Sequence, residues 1–106
     1  MPILPLTEEN FEQEVLQAEG QVLVDLFAAW CGPCRALAPV LDALAEARPE
    51  LRIGKVDVDA QPELAARFDV LTVPTLLLFR SGRLLRRTTG AKTPAELEEF
   101  LRSGEA

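Results

Sequence analysis

The stretch AAWCGPCRA, residues 28–36, contains both cysteines of the 106-residue chain, and only Gly32 and Pro33 separate them. The run just before it, QVLVDLFA, is almost continuously apolar, which is typical of a strand buried on both faces. After it, apolar residues recur at helical spacing up to about residue 48. The cysteines are therefore predicted at the junction between a central strand and the first turn of a helix.

Turn and cap signals place the remaining elements around this junction. A helix capped by Thr7 is predicted before the first strand, and the strand LRIGKVDV and the short helix PELAARF after the cysteine helix. Ser81 and Gly82 join two apolar runs in a hairpin, and Thr93 caps a last helix. Because helix-separated strands pair in parallel and hairpin strands antiparallel, we expect one domain, residues 1–106, with helices on both faces of a mixed sheet.

Composition and charge argue against several classes of protein. The net charge of -6 is opposite to the basic surface that nucleic-acid binding needs. No apolar run approaches the roughly 18 residues that span a bilayer, so we expect no membrane partner. The first 34 residues contain six acidic residues and no lysine or arginine, which predicts a cytoplasmic protein rather than a secreted one. We expect it to act as a monomer.

Four of the eleven basic residues lie close together, in the hairpin sequence RSGRLLRR. Alternation along strands distributes such charges over both faces, so the favoured interpretation is a solvated hairpin surface. A docking patch for an acidic partner is the alternative.

The cysteine pair favours redox chemistry over a structural or metal-binding role. A disulfide that closes only the short ring from Cys31 to Cys34 stabilises a fold by roughly 2 kcal/mol in the loop-entropy model, a weak reason to place both there. A zinc site takes four ligands, usually cysteine or histidine, and the chain has two cysteines and no histidine. Nucleophilic schemes that use histidine are excluded for the same reason. Dithiol chemistry remains.

Several features together resemble the thioredoxin family, over nearly the whole chain. They are WCGPC at residues 30–34, Asp25 in the strand before it, Pro39 in the helix after it and TVPT at residues 72–75. The resemblance implies an α/β protein with the thioredoxin fold, a central mixed β-sheet of about five strands flanked by about four α-helices. It also implies an enzyme, a thiol-disulfide oxidoreductase that reduces disulfides in client proteins.

The same resemblance implies how the protein is supplied with electrons. No cofactor is expected to be bound, and reducing equivalents would arrive indirectly from NADPH through a thioredoxin reductase. A ferredoxin-linked reductase is the alternative source. Partners are therefore expected to be a thioredoxin reductase and disulfide-containing client proteins.

The two cysteines are expected to have different roles. Cys31 falls at a helix N-terminus, where free amides and the positive end of the helix dipole favour a thiolate, so we expect it to be the nucleophile. Cys34 is expected to resolve the mixed disulfide and to form the redox disulfide with Cys31. Gly32 permits close approach of a client backbone, and Pro33 has no amide to lose in a first turn. This dipeptide resembles the reducing branch of the superfamily, and an oxidant or isomerase would differ in redox potential.

Asp25 is the second candidate catalytic residue. Burial among apolar residues on a central strand raises the pKa of a carboxyl group, so Asp25 could exchange a proton near neutral pH. The resemblance to the thioredoxin family implies that Cys34 is its proton partner. The structural alternative is an ion pair with Lys55, which lies in the neighbouring predicted strand and would offset part of that shift.

The resemblance also implies a flat apolar surface beside the cysteines that binds clients. Trp30 directly precedes the nucleophile, which favours a contact surface over core packing. A cis bond before Pro74 is expected to present the backbone of Val73 to an extended client peptide. The expected surface consists of Trp30, Gly32, Pro33, Val73, Pro74, Gly90 and Ala91. The main alternative function is a protein that only binds partners through this surface, with the cysteines incidental.

Overall fold

All strands of the structure, a computed structural model that describes residues 2–103, belong to one mixed sheet. They are β1 (Leu4–Pro5), β2 (Gln21–Phe27), β3 (Arg52–Asp57), β4 (Thr75–Arg80) and β5 (Arg83–Thr89). Their order across the sheet is β1-β3-β2-β4-β5. The pairs β1–β3 and β2–β3 are parallel, and the pairs β2–β4 and β4–β5 are antiparallel. The predicted mixed sheet is confirmed, with β2 at its centre.

Helices cover both faces of this sheet, as predicted. They are a π-helical segment (Glu12–Leu16), α1 (Gly32–Ala47), α2 (Pro62–Arg67) and α3 (Pro94–Ser103). Side chains of α1 and α3 pack on one face, which we call the α1 face. The π-helical segment and α2 pack on the other, the α2 face. Within residues 2–103, no helix is both long enough and apolar enough to cross a bilayer.

The first helical segment differs in winding from the expected α-helix. Thr7 caps the turn before it, because its Oγ1 accepts a hydrogen bond from the amide of Asn10 at 3.2 Å and its own amide donates to Asn10 Oδ1. The N-cap residue of the π-helical segment itself is Phe11, which has no side-chain cap hydrogen bond, so the predicted start of the helix at Thr7 is wrong. Farther along, however, the amide of Gln17 donates to the carbonyl of Glu12, five residues earlier. This spacing defines a π-helix. The spacing of apolar residues fits either winding over so short a segment, so the sequence pattern could not distinguish them.

Side chains of β2 alternate between the two faces. Val22, Val24 and Leu26 pack on the α2 face, whereas Leu23 packs on the α1 face against α1 and α3. Because strand side chains alternate with a period of two, Asp25 projects to the same face as Leu23. The carboxyl group therefore lies on the side of the sheet covered by the helix that begins at the cysteines.

Two local signals that the sequence analysis singled out form as predicted. The hairpin between β4 and β5 turns at Ser81 and Gly82, whose φ values are 48° and 83°, so the turn needs a left-handed backbone at both positions. At the start of α3, the amide of Glu96 donates to Thr93 Oγ1 and the amide of Thr93 donates to Glu96 Oε1. This reciprocal pair is a capping box, and it satisfies two amides at the helix start.

Candidate active site

The two cysteines lie at the junction of β2 and α1. Cys31 is the N-cap residue of α1, with an extended backbone (φ -88°, ψ 117°), and Gly32 and Pro33 open the helix. The sulfurs of Cys31 and Cys34 form a disulfide, with Cα atoms 5.2 Å apart. That separation is ordinary for a disulfide. The fold thus holds the two sulfurs ready for reversible oxidation.

The environments of the two sulfurs differ. Cys31 Sγ accepts a hydrogen bond from the amide of Cys34 at 3.2 Å, and it lies 3.5 Å from the carbonyl oxygen of Val73. The amide and the N-terminal end of the helix dipole both stabilise negative charge on Cys31 in the reduced protein. Both cysteines are 4% exposed, so a client disulfide must approach closely. This asymmetry favours Cys31 as the cysteine that ionises to a thiolate.

Asp25 is fully buried, and neither of its carboxylate oxygens has a hydrogen-bond partner. Desolvation raises the pKa of Asp25 from 3.8 to about 6, and the positive charge of Lys55 partly opposes that rise. Buried carboxylates usually have hydrogen-bond partners, so an orphaned one at the centre of the sheet calls for a chemical explanation. A group with this pKa can take up and release a proton near neutral pH.

Lys55 lies opposite Asp25 in the parallel pairing of β2 and β3. Its Nζ atom is 4.8 Å from the centre of the Phe27 ring, a cation–π arrangement, and the ion pairs found within residues 2–103 do not include it. Lys55 and Phe27 also line a groove of about 430 Å³ on the surface. Lys55 therefore influences the carboxyl group through space, without the direct ion pair that was the structural alternative.

Trp30 is 69% exposed, which rules out the core-packing alternative for this side chain. Its Nε1 donates a hydrogen bond to Asp59 Oδ2 at 2.9 Å. The sequence analysis missed Asp59, although a signal existed. Asp59 follows the carboxyl end of β3, Trp30 follows that of β2, and the carboxyl ends of neighbouring parallel strands lie at the same edge of a sheet. The hydrogen bond fixes the orientation of the indole ring beside the cysteines.

The backbone of residues 73–74 completes the site. The peptide bond between Val73 and Pro74 is cis, as expected. The amide of Gly90 donates to the Pro74 carbonyl at 2.9 Å, and the φ of Gly90 is 89°, a value that favours glycine. Pro74 itself is buried, Val73 is half-buried and Ala91 is exposed. The structure thus places the Val73 carbonyl beside Cys31 Sγ, and a hydrogen bond joins Gly90 to Pro74.

The chemistry of this site rests on sulfur and carboxylate. Within residues 2–103, no group of three or more histidine, cysteine, aspartate or glutamate side chains is placed to bind a metal ion. A strand-buried carboxyl group lies beneath a helix whose N-terminus carries a dithiol that forms a disulfide. This arrangement can exchange two electrons with a second disulfide, while the carboxyl group takes up or releases a proton.

Comparison with known proteins agrees with this chemistry. The thioredoxin family model matches residues 2–103. A thioredoxin of Chlamydia trachomatis is 46% identical over 96 residues, which cover 91% of this chain and 92% of the relative. A thioredoxin of Mycobacterium tuberculosis is 44% identical over 95 residues, which cover 89% of this chain and 82% of the relative.

A third relative combines two activities in its name. It is a bifunctional thioredoxin reductase/thioredoxin of Mycobacterium leprae, 44% identical over 95 residues that cover 89% of this chain, and this chain spans only 21% of its length. The family match covers nearly the whole chain, and the thioredoxins of Chlamydia trachomatis and Mycobacterium tuberculosis match over most of both lengths. The chain therefore belongs to the thioredoxin family, whose members are thiol-disulfide oxidoreductases.

Proposed function

We propose that the protein reduces disulfides in client proteins with Cys31 as the nucleophile, Cys34 as the resolving thiol and Asp25 as the proton acceptor. The observation that carries this assignment is the hydrogen bond from the Cys34 amide to Cys31 Sγ at the N-terminus of α1. It stabilises a thiolate on Cys31 and leaves Cys34 as the thiol that must lose a proton later.

The reaction consists of two exchange steps. In the first, the Cys31 thiolate attacks one sulfur of the client disulfide, a Cys31–client disulfide forms and the other client sulfur leaves as a thiolate. In the second, Cys34, once deprotonated, attacks Cys31 Sγ, the Cys31–Cys34 disulfide forms and the remaining client sulfur leaves. Two electrons have then passed from the protein to the client, whose two thiolates equilibrate with protons from the solvent.

Asp25 accepts the proton of the Cys34 thiol in the second step. With a pKa of about 6 the carboxyl group is mostly ionised at pH 7, and its oxygens have no competing hydrogen bonds. A base whose pKa lies near the working pH is effective in proton transfer. Lys55 is a supporting residue, because its charge favours the ionised form and keeps the pKa from rising further.

Clients bind across the exposed surface around the cysteines. Trp30, Gly32 and Pro33 are exposed and flank Cys31 in the chain, and the Val73 carbonyl oxygen lies 3.5 Å from Cys31 Sγ. An extended client segment beside the Val73 carbonyl would form backbone hydrogen bonds of the strand-addition type. The full proposed surface is Trp30, Gly32, Pro33, Val73, Gly90 and Ala91. Pro74, which was predicted to be part of it, is buried and contributes through its cis bond to Val73.

A separate protein must restore the dithiol after each turnover. We assign this role to a thioredoxin reductase that draws on NADPH, supported by the Mycobacterium leprae relative whose name joins a reductase to a thioredoxin. Cytoplasmic location and a monomeric state remain proposals from sequence composition. The single domain assigned to residues 1–106 includes Met1 and residues 104–106, which lie outside the described residues.

A trapping experiment tests the cysteine roles. Cys34→Ser removes the resolving thiol, so mixed disulfides through Cys31 should accumulate when the variant is incubated with oxidised client proteins. The matched control is Cys31→Ser, which keeps a thiol in the same turn but removes the nucleophile and should trap nothing. Equal trapping by the two variants, or trapping by Cys31→Ser alone, would reverse or remove the assignment. Retained partner binding by both variants, without trapping by either, would instead favour the binding-only alternative.

A further inference from the structure

Leu71 is the most exposed large apolar side chain within residues 2–103. It is 93% exposed, compared with 69% for Trp30, 42% for Leu84 and 38% for Leu85. A single exposed leucine is ordinary on a protein surface. This one, however, lies two residues before Val73, whose carbonyl oxygen is 3.5 Å from Cys31 Sγ. Its position, rather than its exposure alone, connects it to the reaction.

The loop that carries Leu71 is held in place on both sides. The Arg87 guanidinium donates to the carbonyls of Phe68 and Asp69, at 2.7 and 3.3 Å. On the other side, Thr75 Oγ1 donates to the carbonyl of Thr72 at 2.7 Å. The exposed leucine is thus presented by a backbone that is already ordered. Binding to a residue on an ordered loop loses less conformational entropy than binding to a residue on a mobile loop.

Leu71 lies within reach of a client bound at Val73. Leu71 and Val73 are two residues apart in the chain, so their Cα atoms lie at most about 7 Å apart, which is also about the span of two residues in an extended client. A client whose attacked cysteine lies against Cys31, with its backbone along Val73, therefore brings a residue two positions from that cysteine to the neighbourhood of Leu71. In an extended client, side chains two residues apart point to the same side of the chain. That client side chain would face the protein together with the attacked sulfur.

We propose that Leu71 extends the client-binding surface and selects clients with an apolar side chain two residues from the attacked cysteine. The proposal rests on the disulfide-reductase function above. An apolar occupant fits because burying two apolar surfaces against each other is favourable, whereas a charged side chain would lose hydration there without a partner. Leu71 adjoins the proposed client surface, because it lies two residues before Val73 in the chain.

The chain offers a matched control for this proposal. Leu84 lies on β5, the edge strand of the sheet, where it pairs with Phe79. It is an exposed leucine outside the proposed client surface. Leu84→Ser removes the same number of apolar atoms as Leu71→Ser, but away from the cysteines.

The experiment measures single-turnover reduction of short peptides, each containing one cysteine and linked as a symmetrical disulfide dimer. Reduced protein is mixed with peptides that have serine at both positions two residues from the cysteine, or leucine at one of them. Trp30, the only tryptophan, reports oxidation of the protein through its fluorescence. Hydroxyethyl disulfide, which is too small to reach Leu71, provides the reference rate for the intact redox centre.

We expect leucine at one of the two positions to raise the second-order rate constant about fivefold to tenfold over the serine peptide in the unmodified protein and in Leu84→Ser. In Leu71→Ser this preference should fall below about twofold, and Leu71→Met should restore it, with the rate for hydroxyethyl disulfide unchanged. A preference that survives in Leu71→Ser, or that the unmodified protein lacks, would overturn the proposal. Failure to reduce any peptide would contradict the reductase function itself, a distinct result.

Discussion

The two faces of the sheet share the same central strand but use it differently. On the α2 face, β2 contributes only Val22, Val24 and Leu26, which pack in a cluster that also contains three phenylalanine rings in contact. On the α1 face, the middle of β2 is occupied by Asp25, whose buried oxygens have no hydrogen-bond partner. The α2 face contributes to stability, whereas the α1 face loses part of that stability by burying the carboxyl group that we propose as the proton acceptor.

This difference separates stability from chemistry within a single strand. Substitutions on the α2 face should change the free energy of unfolding without changing the redox properties of the cysteines. Substitution of Asp25 should raise the free energy of unfolding at neutral pH and should slow the resolution of the mixed disulfide. Variants on the two faces therefore test whether stability and redox chemistry are separate.

The largest stability effect is expected from Phe79→Ala on the α2 face. Phe79 is 1% exposed, and its ring centroid lies 5.9 Å from that of Phe11 and 5.7 Å from that of Phe68. Loss of this ring should lower the free energy of unfolding by about 3–5 kcal/mol, measured in denaturant. The redox potential of the cysteine pair should stay within about 30 mV of the unmodified value, which corresponds to about 1.4 kcal/mol. A larger change in potential would show that the two faces are coupled.

Asp25→Asn, the next variant, should raise the free energy of unfolding at neutral pH, whereas Phe79→Ala should lower it. Because the pKa of Asp25 is raised to about 6 in the folded protein, the folded state binds more protons than the unfolded state between about pH 4 and 6. The stability of the unmodified oxidised protein should therefore fall over this range, by roughly 3 kcal/mol relative to Asp25→Asn, and remain lower above it. Unfolding curves of both proteins at several pH values provide the measurement.

The same variant tests the proton-transfer role. Asp25→Asn cannot accept the Cys34 proton, so resolution of the mixed disulfide should slow by about tenfold or more at pH 7. The first step, attack by Cys31, should change much less, because its thiolate is stabilised by the Cys34 amide. Parallel pH profiles of stability in the two proteins would contradict the raised pKa, and equal resolution rates would remove Asp25 from the reaction.

The smallest change in the free energy of unfolding is expected at the start of α3, where neither the cysteines nor Asp25 are involved. Thr93→Ala removes half of the capping box with Glu96 and should lower the free energy of unfolding by about 1 kcal/mol. The rate of disulfide reduction should be unaffected, since neither Thr93 nor Glu96 belongs to the proposed catalytic residues or client surface. A change in that rate at constant temperature would mean that α3 positions the active site more directly than the contacts indicate.

Local signals in the sequence predicted most of the fold. The apolar run of β2, the helix that follows the cysteines, the hairpin turn and the capping box each depend on residues close together in the chain, so their patterns could be recognised. β1, by contrast, is only two residues long and exists because it pairs with β3. So short a segment has no periodicity of its own, and its pairing partner lies about 50 residues away.

The residues of the active site likewise fall into those that the sequence predicted and those that only the structure revealed. Both cysteines and Asp25 were predicted, because their residue types and positions carry chemistry that the sequence displays. Asp59 and Leu71 were missed, since their importance depends on what lies next to them in space, Trp30 in one case and the Val73 loop in the other. Exposure of a leucine and the partner of an indole are tertiary properties, so no local pattern indicates them.

The most direct test of the account is the equilibrium redox potential of Cys31 and Cys34, measured in defined thiol buffers by Trp30 fluorescence and by thiol alkylation. A protein-disulfide reductant should have a potential in or below the range of the cytosolic glutathione poise, roughly -220 to -320 mV. A value near -180 mV or less negative would indicate an oxidant or isomerase, and failure to form the disulfide would leave only partner binding. Either result would contradict the function assigned to this dithiol.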